Sequence, residues 1–88
     1  MRGEYQFLYS TKFNREYKKL QKTLGTEIKE AIELLRFEEN HKKLKLHKLA
    51  GGLERFYALS VNYKYRIIIK FIGNEIHFLE VGNHDIYK

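Results

Sequence analysis

The chain has 88 residues, the size of one domain, so we predict a single domain over residues 1–88. It contains no cysteine, which excludes disulfides, thiolate nucleophiles and zinc–thiolate sites. Its 43% of hydrophobic residues predicts a folded core, its net charge of +6 favours polyanionic partners, and its apolar runs are too short to span a membrane, so we expect a cytoplasmic protein.

The first predicted elements are a strand and two helices. Aromatic residues alternate near the start of the chain, which predicts a strand over residues 4–10. Apolar residues then recur at helical spacing over residues 13–24 and again over residues 28–35, and Gly25 lies between the two runs, where a helix often ends. We therefore predict two helices that form an antiparallel hairpin around Gly25.

A basic segment follows the helices. His41 to Lys48 reads HKKLKLHK and contains four lysines, two histidines and no acidic residue. Because Gly51-Gly52 closes this segment, a loop is predicted over residues 41–52. Clustered positive charge of this kind binds phosphates independently of nucleotide sequence. The predicted RNA-binding residues are the four lysines of this segment and one in a later turn: Lys42, Lys43, Lys45, Lys48 and Lys64.

Three strands complete the predicted fold. Alternating apolar residues predict strands over residues 56–61, 65–72 and 76–81, with Gly73-Asn74 as a two-residue hairpin between the last two. The predicted fold is α+β with the order β-α-α-β-β-β, in which the helical hairpin packs on one face of a small, mainly antiparallel sheet. The other face, which carries Arg66 and Lys70, is expected to stay open. The alternation leaves the pairing partner of the first strand undecided.

Four side chains are candidates for chemistry. Arg66 offers a planar guanidinium that matches phosphate. His84, in the tail VGNHDIYK, titrates near neutral pH and can transfer a proton. Tyr87 can stack on a base or donate a hydrogen bond to phosphate, and His47 opens the segment HKLAGGL.

Each candidate also has a purely structural interpretation. Arg66 would then pair with Glu80 or Glu54. The tail would be a solvated terminus in which Tyr87 closes the core. His47 would lie in a polar turn, and Lys64 would be an ordinary exposed lysine.

The candidate residues suffice to cleave RNA without a metal or a cofactor. RNA carries its own nucleophile, the 2′-hydroxyl, so a protein has to position it, transfer two protons and stabilise negative charge. The four histidines are scattered, and no metal site is predicted. Antiparallel pairing of the last two strands is expected to bring the tail after Val81 back to Arg66, with Gly82 allowing a sharp turn.

Three short segments, in this order and spacing, resemble the RelE/ParE toxin superfamily of toxin–antitoxin systems: HKLAG at 47–51, YRIII at 65–69 and VGNHDIY at 81–87. The resemblance extends from Phe7 to Tyr87. It implies a RelE-like fold and, in the RelE-like branch, a type II toxin that cleaves mRNA on the ribosome and inhibits translation. It also implies a cognate antitoxin that wraps the domain. We expect an acidic antitoxin segment to cover the basic loop and the open sheet face.

The resemblance also assigns roles to residues. Arg66 matches the phosphate-binding arginine of the family's Y-R strand, and His84 matches a tail position that stabilises charge or transfers a proton. Tyr87 matches the terminal aromatic residue, and His47 matches the histidine of the H-x-L-x-G segment found in some members.

The sequence departs from the family in two places. RelE has two lysines on the strand where this chain has Ala58 and Ser60, and the catalytic glutamate of another branch falls near Lys43. The general base is therefore His84 or His47, or cleavage is weak or absent. Two alternative functions stay open: inhibition of DNA gyrase, as in ParE, and a noncatalytic basic nucleic-acid-binding domain or inactive toxin.

Overall fold

A computed structural model describes residues 5–49 and 56–83 of the chain. Its elements are β1 Gln6–Tyr9, α1 Thr11–Leu35, a 3₁₀ turn Glu38–Asn40, β2 His47–Lys48, β3 Phe56–Ser60, β4 Tyr65–Ile72 and β5 Glu75–Asn83. These five strands form one sheet with the order β1-β5-β4-β3-β2. β1 pairs with β5 in parallel, and the other neighbouring strands pair antiparallel. The predicted α+β class and mainly antiparallel sheet are confirmed.

The helix α1 begins at a serine cap. Ser10 Oγ accepts a hydrogen bond from the Phe13 N–H at 2.9 Å, which satisfies one of the free amides of the first turn. An apolar stripe then faces the sheet, and its buried members are Phe13, Gly25, Ile28, Ala31, Ile32 and Leu35. Within the described part of the chain, no helix is both long enough and apolar enough to cross a membrane.

The helix α1 is not straight. A straight helix of 25 residues would be about 37 Å long. Residues beside its two ends nevertheless lie close together. The Arg36 guanidinium carbon, just after the helix, lies 4.4 Å from the centroid of the Phe7 ring, which precedes the helix. Burial raises the pKa of the Tyr9 hydroxyl, while Arg36, just beyond the other end, lowers that pKa, and Glu33 raises it.

A small cavity shows where α1 folds back. Asn14 and Tyr17 from its first half line a cavity of about 210 Å³ together with Lys29 and Ile32 from its second half. In a straight helix, Asn14 and Lys29 would be about 22 Å apart. The helix therefore reverses direction between Tyr17 and Lys29, and its two halves pack side by side.

The predicted break in the helix at Gly25 is wrong, although the predicted packing of two helical halves is found. Helical backbone continues through Gly25, which is buried in the apolar stripe. An interior glycine costs only about 1 kcal/mol of helix stability. Burial of the apolar stripe on both sides of it outweighs that cost, so the backbone stays helical at Gly25 although this residue lies in the interval where the chain reverses.

Replacing Gly25 with alanine is expected to raise the free energy of unfolding by about 0.5–1 kcal/mol. Gly25 has no positive φ. A Cβ atom there would lie 3.5 Å from Gln21 Cγ and 3.8 Å from Tyr17 Oη, which are ordinary van der Waals contacts. Urea unfolding monitored by circular dichroism measures the change. A loss of stability would instead show that the reversal of α1 needs a glycine.

The core lies between α1 and one face of the sheet. Phe78 of β5 is fully buried at its centre, and its ring packs against Phe7, Tyr9 and Phe13 with centroid separations of 4.9–5.5 Å. Such offset and edge-to-face contacts between rings add to the stabilisation from burial alone. The other buried residues of this core include Ile28, Leu35, Leu59, Ile67, Ile69, Ile76 and Val81.

The opposite face of the sheet carries both apolar and polar side chains. Leu49, Ala58 and Ile68 form a small buried cluster there. Arg66 and Lys70 alternate with the core residues Ile67 and Ile69 on β4, which places them on this face as predicted.

A bulge in β5 joins the strand to the start of α1. The register between β4 and β5 shifts between Ile68 and Ile69, and Leu79 is the extra residue. Ser10 Oγ donates to the Leu79 carbonyl at 2.9 Å, and Glu16 Oε1 accepts from the Val81 N–H at 3.0 Å. Side chains of the helix therefore satisfy backbone groups at the bulge, and they hold the end of β5 in place.

The strand predictions need two corrections. Residues 41–52 are not all loop, because His47–Lys48 forms β2 at the edge of the sheet. A strand of two residues is too short to give an alternating pattern. The second correction concerns Gly82, which does not turn sharply, since Gly82 and Asn83 continue β5. Gly51-Gly52 lies outside the described residues.

Other strand predictions are confirmed. β4 covers residues 65–72 as predicted, and β3 and β5 differ from the predicted ranges by one or two residues at their ends. The Gly73-Asn74 hairpin is present, with Gly73 at a φ of 60° and Ile72 paired with Glu75.

Candidate functional site

A cleft of about 490 Å³ opens where β3 ends and β4 begins. The β3–β4 turn and the basic loop form its walls, together with Leu34 of α1. Three cations line it, Lys43, Lys45 and Arg66, and none of the lining residues in the described part of the chain is acidic. Concentrated positive charge in a cleft attracts anions such as phosphate groups.

Backbone carbonyls hold Arg66 in this cleft. Its Nη1 atom donates to the Asn62 carbonyl at 3.0 Å and to the Tyr65 carbonyl at 3.3 Å. The ion pair with Glu80 is not formed, because Glu80 pairs with Lys12 at 3.1 Å. Glu54, the other possible partner, lies outside the described residues. The carbonyls orient the guanidinium without neutralising its charge, as a phosphate site requires.

The basic loop has a defined conformation. Leu44 is 4% exposed and anchors the loop in the core, and its carbonyl accepts from the Ser60 N–H at 2.8 Å. His41 Nε2 donates to the Leu35 carbonyl at 3.0 Å, and the His41 carbonyl accepts from the Leu46 N–H at 3.0 Å. The loop is therefore tied to both α1 and β3, and its exposed lysines extend from a fixed backbone.

His47 is oriented by the same loop. Its Nδ1 atom lies 2.9 Å from the Lys45 carbonyl. Because a carbonyl can only accept, Nδ1 carries the proton of this hydrogen bond, and neutral His47 then has its lone pair on Nε2. Lys45 has a φ of 56°, the one positive φ among the described residues that are not glycine. This unusual backbone conformation lies two residues before the histidine, at the residue whose carbonyl the ring contacts.

The structure separates the five predicted RNA-binding lysines. Lys43 and Lys45 line the cleft with Arg66, whereas Lys42 does not line it. Lys48 follows His47 on β2, so its side chain extends from the other face of the sheet. Lys64 lies in the β3–β4 turn with its Nζ atom 5.9 Å from the centroid of the Tyr65 ring.

The four predicted catalytic residues are only partly described. Gly82 pairs with Arg66 and Asn83 pairs with Tyr65, so the predicted return of the tail towards Arg66 is observed as far as Asn83. His84 and Tyr87 lie outside the described residues.

Strand pairing also determines the distance between His47 and Arg66. His47 is opposite Ala58, and Arg66 is opposite Ser60, two residues further along β3. The spacings of a sheet place the Cα atoms of His47 and Arg66 about 12 Å apart. Side chains that extend from such positions can contact one nucleotide placed between them.

Tyr63 is a feature of the cleft that sequence analysis missed. It lines the cleft and is 90% exposed. The segment Asn62-Tyr63-Lys64 carried a signal, since asparagine favours turns and would leave the next side chain at the surface. Sequence alone does not show that the turn adjoins Arg66.

Comparisons with solved structures identify the fold. YafQ from E. coli superposes with a TM-score of 0.80 over 93% of this chain and 96% of that chain, at 20% identity. The E. coli DinJ-YafQ toxin–antitoxin complex gives 0.75 over 93% and 94%, at 22% identity. The YoeB dimer from Staphylococcus aureus gives 0.69 over 91% and 97%, also at 22% identity. No family model and no curated protein sequence matches the chain. The fold is therefore the one that the sequence resemblance implies.

Proposed function

We propose, from this fold shared with RelE/ParE toxins, that the chain is the toxin of a type II toxin–antitoxin system. In this proposal it acts in the cytoplasm as an endoribonuclease that cleaves mRNA on the ribosome and thereby inhibits translation. The observation that carries the proposal is the cleft in which Arg66 lies with Lys43 and Lys45. Arg66 pairs with Gly82 of β5, which precedes His84 by two positions in the sequence.

The proposed reaction is an attack by the RNA on itself. The 2′-hydroxyl oxygen forms a bond to phosphorus while the bond from phosphorus to the 5′-oxygen breaks. The 2′-hydroxyl proton passes to His47 or to His84, and the leaving 5′-oxygen takes a proton from His84 or Tyr87. Arg66 and the lysines stabilise the negative charge that develops on the phosphate oxygens.

The lysines of the cleft can replace the two strand lysines of RelE that this chain lacks. Ala58 is fully buried, and Ser60 lines the cleft, so neither position supplies a charge. Lys43 and Lys45 reach the same cleft from the basic loop. We infer that charge supplied in RelE by a strand is supplied here by this loop, which favours a nuclease over an inactive toxin.

The function is tested by inducing expression in bacteria and mapping the 5′ ends of cellular mRNA. New ends that appear within coding regions, and that disappear with Arg66→Ala, are the expected result. Growth arrest without new mRNA ends, accompanied by inhibition of purified gyrase, would favour the ParE-like alternative. Intact growth and intact mRNA would favour the noncatalytic one.

A cognate antitoxin is the proposed partner. The cationic cleft complements an acidic segment, and the similar YafQ was solved together with DinJ. Coexpression with the product of a small neighbouring reading frame is expected to yield a complex with a raised melting temperature, because binding to the folded form alone stabilises it. Failure of neighbouring products to bind would contradict this partner.

Two pairs of lysines test the cleft as the RNA site. Lys43→Gln with Lys45→Gln is expected to weaken binding to single-stranded RNA and to reduce the slope of log K against log salt by about 0.7 for each phosphate that the variant no longer neutralises. Lys42→Gln with Lys48→Gln removes the same charge from outside the cleft and serves as the matched control. Binding measured by fluorescence anisotropy at several salt concentrations distinguishes them. Equal slopes for the two double variants would place the RNA elsewhere.

A further inference from the structure

We propose that Tyr63 is a stacking platform for a nucleobase, and that the cleft beside it binds single-stranded RNA with a phosphate on the cations and a base on this ring. The inference rests on the proposed function, because it concerns the same cleft. It adds a residue that stacks on a base, which neither the fold nor the sequence resemblance supplies.

The exposure of Tyr63 is the first observation. Tyr63 is 90% exposed, whereas the other large hydrophobic residues at the surface of the described chain are 41–47% exposed. Tyr9, for example, is 43% exposed and still stacks on Phe78 with 4.9 Å between centroids. An aromatic ring so fully in solvent contributes little to the core, although burying it on a ligand would release a large apolar area.

The turn that carries Tyr63 is well fixed. Asn62 Oδ1 accepts hydrogen bonds from the backbone N–H groups of Lys64 and Tyr65, both at 2.9 Å. Asn62 Nδ2 also donates to Glu27 Oε1 of α1 at 2.9 Å. The turn is therefore closed by its own asparagine and tied to the helix, so the ring extends from a backbone that needs little ordering when a ligand binds.

The same turn links the ring to the phosphate site. Arg66 Nη1 donates to the Asn62 carbonyl, which belongs to the peptide bond that precedes Tyr63. Lys43 and Lys45 face them across the cleft. The guanidinium therefore binds the backbone of the turn that carries Tyr63, and both side chains line one cleft, where a nucleotide can present a phosphate to one and a flat base to the other.

The chemistry of the two groups selects the ligand. Cations alone attract an acidic peptide as well as a nucleic acid, but an exposed aromatic ring beside them specifically matches an unpaired base. Bases in a duplex are stacked on their neighbours and cannot reach such a ring without unpairing. The site is therefore expected to prefer single-stranded RNA to duplex RNA.

The absence of tryptophan from the chain gives a direct probe. Tyr63→Trp introduces a single indole, and stacking on a base is expected to quench its fluorescence when an unstructured RNA oligonucleotide is added. An abasic oligonucleotide of the same length keeps the phosphates and should cause no such quenching. Leu8→Trp places an indole on β1, at the far edge of the sheet from β2, and serves as the matched control.

Affinities complete the test. Tyr63→Ala is expected to weaken binding of the oligonucleotide by about 5–150-fold, the usual value of one base stacked on an aromatic residue, with an unchanged salt slope. Tyr63→Phe should keep wild-type affinity. The wild-type protein and Tyr63→Ala should bind the abasic strand equally.

Several results would overturn the proposal: no binding of any oligonucleotide, equal loss of affinity for normal and abasic RNA, or a matching loss for poly-glutamate. The last would indicate an acidic-peptide site. Because these assays measure binding, RNA that binds with stacking but is never cleaved would refute the nuclease and leave the platform intact. Cleavage together with unchanged binding by Tyr63→Ala would refute the platform alone.

Discussion

Replacing His84 with glutamine is expected to lower the rate of RNA cleavage by about 10²–10⁴-fold, the usual contribution of one general acid or base. Glutamine preserves the approximate size and the hydrogen bonding of histidine but cannot transfer a proton at neutral pH. Asn83, the residue before His84 in the sequence, pairs with Tyr65 beside Arg66. Single-turnover cleavage of an mRNA bound to ribosomes measures the rate.

Another histidine, on β5, offers a matched control. His77 of β5 is paired with Glu75 at 2.9 Å, and its backbone lies opposite Lys70, four residues beyond Arg66 on β4. His77→Gln should therefore leave the cleavage rate unchanged. An undiminished rate in His84→Gln would exclude His84 as a proton-transfer group. A large loss in His47→Gln would then identify His47 as the general base.

Arg66→Ala is expected to lower the cleavage rate by at least about 10²–10³-fold, the cost of removing one group that stabilises transition-state charge. Arg66→Lys should lose less activity, because lysine keeps the charge, but it should not restore the wild-type rate, since it lacks the planar fork. In the alanine variant the Tyr65 carbonyl keeps its hydrogen bond from the Val61 N–H at 2.9 Å. The Asn62 carbonyl loses the guanidinium, but it lies at the surface turn, where water can replace it.

Lys70→Ala is the control for charge. Lys70 lies on β4 and on the same face of the sheet as Arg66, but outside the cleft, so its loss should leave cleavage intact. Thermal melting should show that both alanine variants fold, because neither residue belongs to the buried core. A folded double variant, Arg66→Ala with His84→Gln, that kept wild-type toxicity and mRNA cleavage would refute the proposed centre.

The fold was predictable wherever a periodic pattern was long enough. β4 contains eight alternating or apolar residues, and its limits were predicted correctly. The helix prediction was wrong only at Gly25, because a glycine fits both the end of a helix and a crowded position within one. Pairing of β1 with β5 was not predictable, since alternation fixes which side chains face the core but not which strand lies alongside.

The types of residue that form the site were predictable, but which of them lie together was not. Arg66 and the lysines of the basic loop were identified from their charge and their position. Which lysines share a cleft with Arg66 depends on how the loop is anchored by Leu44 and on the backbone at Lys45. The exposure of Tyr63 also depends on the surrounding surface, which no local pattern encodes.

The strand order has a consequence for the time at which the protein becomes active. β1 is synthesised first, yet its neighbour in the sheet is β5, the last described strand, and the bond from Ser10 to Leu79 spans 69 residues. β5 also pairs with β4 beside Arg66. A nascent chain without β5 can therefore neither place β1 nor assemble the proposed centre. A nuclease of this design cannot cleave the message on the ribosome that is still translating its own β5, so each copy is completed before it can act.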